Sequence, residues 1–264
     1  MIKLIVSDVD GTLAEDGGSI NPELFDVILK LKEQGIYFVA ASGRHQVSLE
    51  HAFEPIKDRI FFISANGCYV GTSSRELFLT EYKKELAGDM IRDMRAAGMD
   101  LMIDGVDRVY SDSKNEEFID WLVNGYHFRV ERVEDLLQLE APILKVSGCI
   151  MSGIAEGKAK YIQEKYGDRL KVTLAGKQWL DTMDPNVNKG NALKILQESL
   201  EILPEETMAF GDQLNDIEML KRAYYSFAVS NARQEAKDAS RFLADSNVNQ
   251  GPMKIMKLFL NKSL

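Results

Sequence analysis

Ile2-Lys3-Leu4-Ile5-Val6-Ser7-Asp8-Val9-Asp10-Gly11-Thr12 opens the chain, and its first half decides the architecture. Residues 2–7 are almost continuously apolar and β-branched, without the in–out alternation of a strand that faces water on one side. Such a run suits a strand covered on both faces, as in a parallel sheet. Five more runs share this character, at residues 36–41, 60–64, 207–210, 226–229 and 241–244. Helical patterns separate most of them. Residues 22–34 carry Leu24, Val27, Ile28 and Leu31 at helical spacing, open after Asn21 as a cap and stop at Gly35. Residues 191–200 and 216–222 repeat that logic. Strand–helix alternation at both ends predicts an α/β fold with one doubly wound, mostly parallel sheet.

The middle of the chain differs. Residues 101–104 and 108–110 pair as a hairpin around Gly105, and residues 161–166 close a helix. Residues 170–174 and 179–182 read as strands either side of Ala175-Gly176. The expected organisation is a catalytic core of residues 1–81 and 185–264, with an inserted α+β domain over residues 82–184. No internal repeat or low-complexity tract interrupts it.

The 264 residues are enough for a sizeable core, and 45% apolar with 28% charged residues is an ordinary globular mixture. Forty-one acidic against 32 basic residues leave a net charge of -9, which argues against nucleic acid as a partner. No apolar run reaches the length of a membrane span. With no charged leader and cleavage site after Met1, the cytoplasm is the expected compartment. Cys68 and Cys149 lack metal-ligand spacing and read as buried thiols. The expected state is a monomer or weak homodimer.

Four segments at the carboxyl ends of core strands or at helix starts carry candidate chemistry, where open parallel sheets place their ligands. In extended Asp8-Val9-Asp10, both carboxylates face one cleft while Val9 turns into the core. Alone, that is also ordinary strand-end turn chemistry. Ser42-Gly43-Arg44 offers a hydroxyl and an amide to a phosphate oxygen, and Arg44 a guanidinium. Lys189, at a helix start, opposes the helix dipole and calls for an anion nearby. Gly211-Asp212-Gln213-Leu214-Asn215-Asp216 holds more acid and amide groups than the one cap its helix needs.

Together these readings reinforce one another. Asp8, Asp10, Asp212 and Asp216 crowd negative charge into one cleft mouth, where a pair about 4 Å apart repels by about 4 kcal/mol. A cation would relieve it, and oxygen-only ligands without His or Cys point to Mg²⁺. Lys189 then supplies local positive charge for an anionic substrate.

Asp8-Val9-Asp10-Gly11-Thr12, Ser42-Gly43-Arg44, Lys189-Gly190 and Gly211-Asp212 with Asn215-Asp216 resemble, in order, the four motifs of the haloacid dehalogenase superfamily. The insertion between the second and third motifs is similar to that of its Cof-like phosphatases, and the loop at residues 14–20 is too short for another cap. The resemblance implies strand order 5-4-1-2-3, which makes neighbours of the strands before Asp8 and Asp212. It also implies hydrolysis of small phosphorylated metabolites, sugar phosphates among them, through an aspartyl-phosphate on Asp8, with Asp10 as general acid and base. Mg²⁺ would be held by Asp8, the Asp10 backbone carbonyl and Asp212, with Asp216 in support. Ser42, Gly43, Lys189 and Asn215 would bind phosphate. Arg44, Asn66 and Asp184 are candidate substrate contacts, with Lys177, Trp179 and Asp181 as further candidates in the inserted domain, although Trp179 also reads as plain packing. His45 reads as a capping or surface residue, and His51 and His127 receive no role. Three alternatives remain: a phosphomutase, a phosphoacceptor domain and a metabolite-binding module without turnover.

Overall fold

The computed structural model describes residues 1–15, 18–126, 128–154, 156–175 and 177–260, so His127, Gly176 and residues 16–17 of the 14–20 loop lie outside the described residues. The chain forms two compact units: Met1–Arg44 with Leu49–Phe78 and Asn188–Leu264, and His45–Ser48 with Leu79–Val187. The second unit thus interrupts the first between Phe78 and Asn188 and also claims the four residues after Arg44.

The first unit is built on an eight-stranded sheet. Its first strands are β1 (Leu4–Asp8), β2 (Tyr37–Ala41), β3 (Phe61–Ser64), β4 (Tyr69–Gly71) and β5 (Glu76–Leu79). After the insertion come β12 (Thr207–Gly211), β13 (Tyr225–Val229) and β14 (Phe242–Ala244). The order is β14-β13-β12-β1-β2-β3-β4-β5, with parallel pairing from β14 to β3 and an antiparallel turn-back at β4. The central arrangement, β13-β12-β1-β2-β3, is the expected one, extended by β14 at one edge and by β4 and β5 at the other. The unalternated runs are explained by burial on both faces. Ile5, Phe38 and Phe62 pack with Leu24, Val27, Ile28 and Leu31 of α1 (Glu23–Glu33) and with Met253 and Met256 of α9 (Gly251–Leu260). Leu4, Val6, Val39 and Ile63 pack on the other face, with Ala192, Leu193 and Leu196 of α6 (Lys189–Leu200) and Met219 and Leu220 of α7 (Ile217–Arg222). Each such side chain, fully buried, contributes about 1.5–3 kcal/mol.

The second unit holds a mixed six-stranded sheet, β10-β11-β9-β6-β7-β8. Its strands are β6 (Asp100–Asp104), β7 (Val109–Ser111), β8 (Val130–Arg132), β9 (Lys145–Cys149), β10 (Lys171–Ala175) and β11 (Trp179–Met183). One face packs on α3 (Lys84–Ala96) and α5 (Glu156–Tyr166) through Met90, Ile91, Met94 and Ile162. The other carries Phe118, Leu122 and Trp179. Trp179 is therefore a packing residue, and its indole N–H donates to the Tyr126 hydroxyl at 3.1 Å. The same sheet buries Lys145 between Asp104 (3.3 Å) and Asp181 (3.2 Å), and Ser147 donates to Asp181 at 2.8 Å.

His45 is buried rather than on the surface. The Val47 amide donates to its Nδ1 at 3.3 Å, which is the capping role, and its Nε2 faces the Gly105 carbonyl at 3.1 Å. Nδ1 as acceptor requires a neutral ring with the proton on Nε2. Burial, the largest influence, favours that form by lowering the ring's pKa.

Candidate active site

β1 delivers Asp8 at its carboxyl end, still paired with Ala41 of β2. The chain then folds sharply back, with the Val9 carbonyl accepting from the amides of Leu13 and Ala14 at 2.9 and 2.8 Å. Val9 is fully buried in the core, as its place between two acids predicts. Gly11 sits at φ +81°, and a side chain there would strike the Asp212 carboxylate at 2.6 Å.

Because β12 lies beside β1, its following loop sets Asp212 and Asp216 next to Asp8. Carboxylate oxygens of Asp8, Asp212 and Asp216 lie within 4.8 Å of one another, and all three residues are buried. Lys189 enters from the start of α6 with no exposed surface. Its ammonium donates to Oδ1 of Asp8 and, at 2.6 Å, to Oδ1 of Asp216. The anion its position called for is thus supplied by the protein's own carboxylates. Asn188 caps the same helix, accepting from the Asn191 amide at 2.7 Å. Asp216 does not cap α7; its Oδ2 accepts from the amides of Asp212 and Gln213, both at 2.9 Å, and so shapes the loop.

One cation among three buried carboxylates is an electrostatic deficit. Burial first, and then the charge of Asp216, push the Asp8 carboxyl well above its ordinary range; Lys189 pulls it back and Asp212 adds to the rise. Asp212 is raised as well, by burial and by Asp216. Burial works to lower the Lys189 ammonium, but Asp216 and Asp8 outweigh it and hold it above its usual value. Oδ2 of Asp8 is buried and has no hydrogen-bond partner among the described residues. An orphaned carboxylate oxygen beside a second and third carboxylate, with oxygen ligands throughout, fits a hard divalent cation.

Asp10 stands apart from this cluster, contrary to the expected crowd of four. Its side chain is 54% exposed and takes a bidentate grip from Arg44, Nε at 2.9 Å and Nη2 on the other oxygen. Ser42 Oγ lies 3.4 Å from the same carboxylate and accepts from the Arg44 amide at 3.1 Å. Asn215 donates its side-chain amide to Asn66 at 2.8 Å. Asp184 belongs to the second unit and makes a local turn, accepting from the Asn186 amide at 2.9 Å. Asp181 is engaged with Lys145 and Ser147. The structure therefore joins Asp8, Lys189, Asp212 and Asp216 directly, joins Ser42, Arg44 and Asp10 as a second group, and pairs Asn66 with Asn215. Thr12 and Gln213 lay inside the motifs without a role; they donate to the two oxygens of Asp212 at 2.9 and 2.8 Å. Asn231, which donates to the Gly11 carbonyl at 2.8 Å, gave no signal in the sequence.

The model of the haloacid dehalogenase-like hydrolases matches residues 5–256, nearly the whole chain. The chain belongs to that family. It is 30% identical over 257 residues to the 5-amino-6-(5-phospho-D-ribitylamino)uracil phosphatase YbjI of Escherichia coli K12, covering 97% of this chain and 95% of that one. It is 27% identical to the Bacillus subtilis phosphatase YcsE, named for the same substrate, with the same coverage. Among solved structures, one from Eubacterium rectale superposes with a TM-score of 0.91 at 32% identity, covering 98% of this chain and 99% of its own. The protein is accordingly a phosphatase of the haloacid dehalogenase superfamily, with a mostly parallel core sheet and a second, mixed sheet as its cap.

Proposed function

We propose that this haloacid dehalogenase-like phosphatase hydrolyses small phosphate monoesters through Asp8, with Mg²⁺ as its metal. The observation that carries the reading is the division of labour on the Asp8 carboxylate: Lys189 holds Oδ1, while Oδ2 is buried with no partner among the described residues. Asp8, Asp212 and the Asp10 carbonyl would hold the cation, with Asp216 supporting. When bound, it would neutralise the carboxylate cluster and the phosphoryl oxygens, and keep Asp8 ionised. Asp8 attacks phosphorus, forming an acyl phosphate as the ester P–O bond breaks, and Asp10 gives its proton to the departing oxygen. Asp10 then takes a proton from the water that attacks the phosphoaspartate, and Asp8 is regenerated with release of phosphate. Ser42, Gly43, Lys189 and Asn215 would bind the phosphoryl oxygens, where preorganised donors act most strongly.

For Asp10 to work as acid and base, it must leave Arg44. A substrate phosphate is a stronger bidentate partner for the guanidinium than one carboxylate and would free Asp10 on binding. Asp184 is held by its own turn, which favours a structural role for it over substrate contact.

For the substrate, the names of the two relatives favour a phosphorylated polyol carried on a ring, so 5-amino-6-(5-phospho-D-ribitylamino)uracil heads the compounds to test, ahead of hexose and pentose phosphates. Among the described residues no helix is long and apolar enough to cross a membrane, and the cytoplasm is the proposed compartment. The test is phosphate release from that panel with Mg²⁺ or chelator, with isomer formation monitored in parallel. Metal-dependent release that Asp8→Asn abolishes supports the reading; full activity in Asp8→Asn or in chelator would overturn it, and isomer formation without release would make the protein a mutase.

A further inference from the structure

The turn after β3 runs through left-handed backbone close to the site. Ala65 (φ 47°), Asn66 (φ 59°) and Gly67 (φ 109°) are consecutive left-handed residues. Asn tolerates that region, but Ala does not prefer it, and such strain persists only where the surroundings over-determine it. Those surroundings are the loops proposed above to bind phosphate. The Ala65 amide donates to the Arg44 carbonyl at 2.8 Å and the Asn66 amide to the Ser42 carbonyl at 3.0 Å. The Asn66 carboxamide lies against Gly43, only 3.1 Å from where a side chain there would begin. Gly67 meets the carbonyl of Asn188, the cap of the Lys189 helix, so closely that a Cβ would sit 2.6 Å from it. Finally, Asn66 Oδ1 accepts the Asn215 side-chain amide at 2.8 Å. One four-residue turn thus touches the Ser42-Gly43 loop, the Lys189 helix start and the Asn215 loop.

We propose that Asn66 is a positioning residue rather than a substrate contact: it fixes the carboxamide of Asn215, leaving the second N–H of that amide for a phosphoryl oxygen. The inference rests on the phosphate-binding role proposed for Asn215. A free primary amide turns about its last torsion, which has two broad wells. Committing one N–H to Asn66 removes that freedom before the ligand arrives, and preorganised donors lose less on binding.

Asn66→Gly is the informative variant, because glycine accepts φ 59° and removes only the carboxamide. The experiment is a double-mutant cycle of Asn66→Gly and Asn215→Ala, read by calorimetric titration of inorganic phosphate into the Mg²⁺-loaded protein and by KM and kcat on the best substrate. Each single change is expected to weaken phosphate binding by about tenfold, as loss of one hydrogen bond to a charged group does. The double variant should be no weaker than Asn215→Ala alone, since Asn66 acts through it. The loss should fall mainly in KM, with the thermal midpoint of Asn66→Gly close to wild type. Additive losses of about a hundredfold, or an unchanged affinity in Asn66→Gly, would overturn the proposal while leaving the phosphatase reading intact. Wild-type protein that neither binds phosphate nor turns over would overturn both.

Discussion

Replacing Asp8 by Asn should destroy turnover and at the same time strengthen the metal-free fold. Carboxylates within 4.8 Å of one another repel by about 3.5 kcal/mol per pair at an effective dielectric of 20. Asp8 has two such neighbours, so about 7 kcal/mol opposes its charge, and contact with Lys189 returns about 6 kcal/mol at the usual length of a charge-assisted bond. The Coulomb terms nearly cancel. What remains is the cost of burying a carboxylate, several kcal/mol. In Asp8→Asn, Lys189 keeps Asp216, Asp212 keeps its donors Thr12 and Gln213, and the negative surplus falls by one. After allowing for the poorer hydrogen bond, the metal-free variant should gain about 2 kcal/mol, or about 4–8 °C in thermal midpoint for a chain of this size. The pH dependence has a definite sign. A carboxyl raised in the folded state binds protons that the unfolded chain has already released, so metal-free wild type should lose stability as pH rises from about 4 toward the raised value. Asp8→Asn should flatten that slope, and Mg²⁺ should stabilise wild type more than the variant. The assay is thermal unfolding followed by circular dichroism between pH 5 and 8, with Mg²⁺ or chelator. A metal-free Asp8→Asn protein less stable than wild type at pH 7.5, or one with an undiminished response to Mg²⁺, would refute the reasoning.

Asp10→Asn should lower kcat by about 10²–10⁴, the usual worth of a general acid and base, yet keep the Mg²⁺-induced rise in melting temperature, because the contact proposed for the metal is the backbone carbonyl. Lys145→Met should cost about 3–5 kcal/mol in urea unfolding by stranding Asp104 and Asp181 in the second unit, and adding Asp104→Asn with Asp181→Asn should restore much of it. Burial works to lower the Lys145 ammonium, but Asp104 and Asp181 outweigh it and hold it above its usual value, so this contribution is fully present below about pH 10 and disappears only as pH climbs through the raised value. Asp245, whose carboxyl Lys254 and the Ser246 amide pull down to about 2, contributes above about pH 4 and stops doing so as pH falls through about 2. Thermal midpoints of Asp245→Asn should therefore lie slightly below wild type at pH 6 and coincide with it near pH 2.

The core was legible because burial on both faces leaves a local trace: Ile5 and Val6 serve opposite layers, so neither position could be polar. The site was legible where chemistry sits at strand ends, since the sheet itself brings Asp8 beside Asp212. Partner choice was not legible. Asn66 finds Asn215 across 149 residues, and Arg44 takes Asp10 out of the acidic cluster, because both depend on how loops fold back rather than on any local pattern. Lys145 was invisible for a similar reason: its place opposite Asp104 follows from strand register. His45, legible as a capping or surface residue, is a cap, and its ring is buried.

The strand that ends in Asp8 is made long before it is completed. β1 lies between β2 and β12, and its pairing of Leu4 with Thr207 spans most of the chain. At about 5–20 residues per second, a ribosome needs about 10–40 s to travel that distance. Throughout that interval one apolar edge of β1 lacks its β12 neighbour, and the acid at its end has neither Lys189 nor Asp212 and Asp216 beside it. The growing polypeptide is therefore exposed to mispairing at the segment that carries Asp8, and a slow stretch of translation before residue 207 would lengthen that exposure.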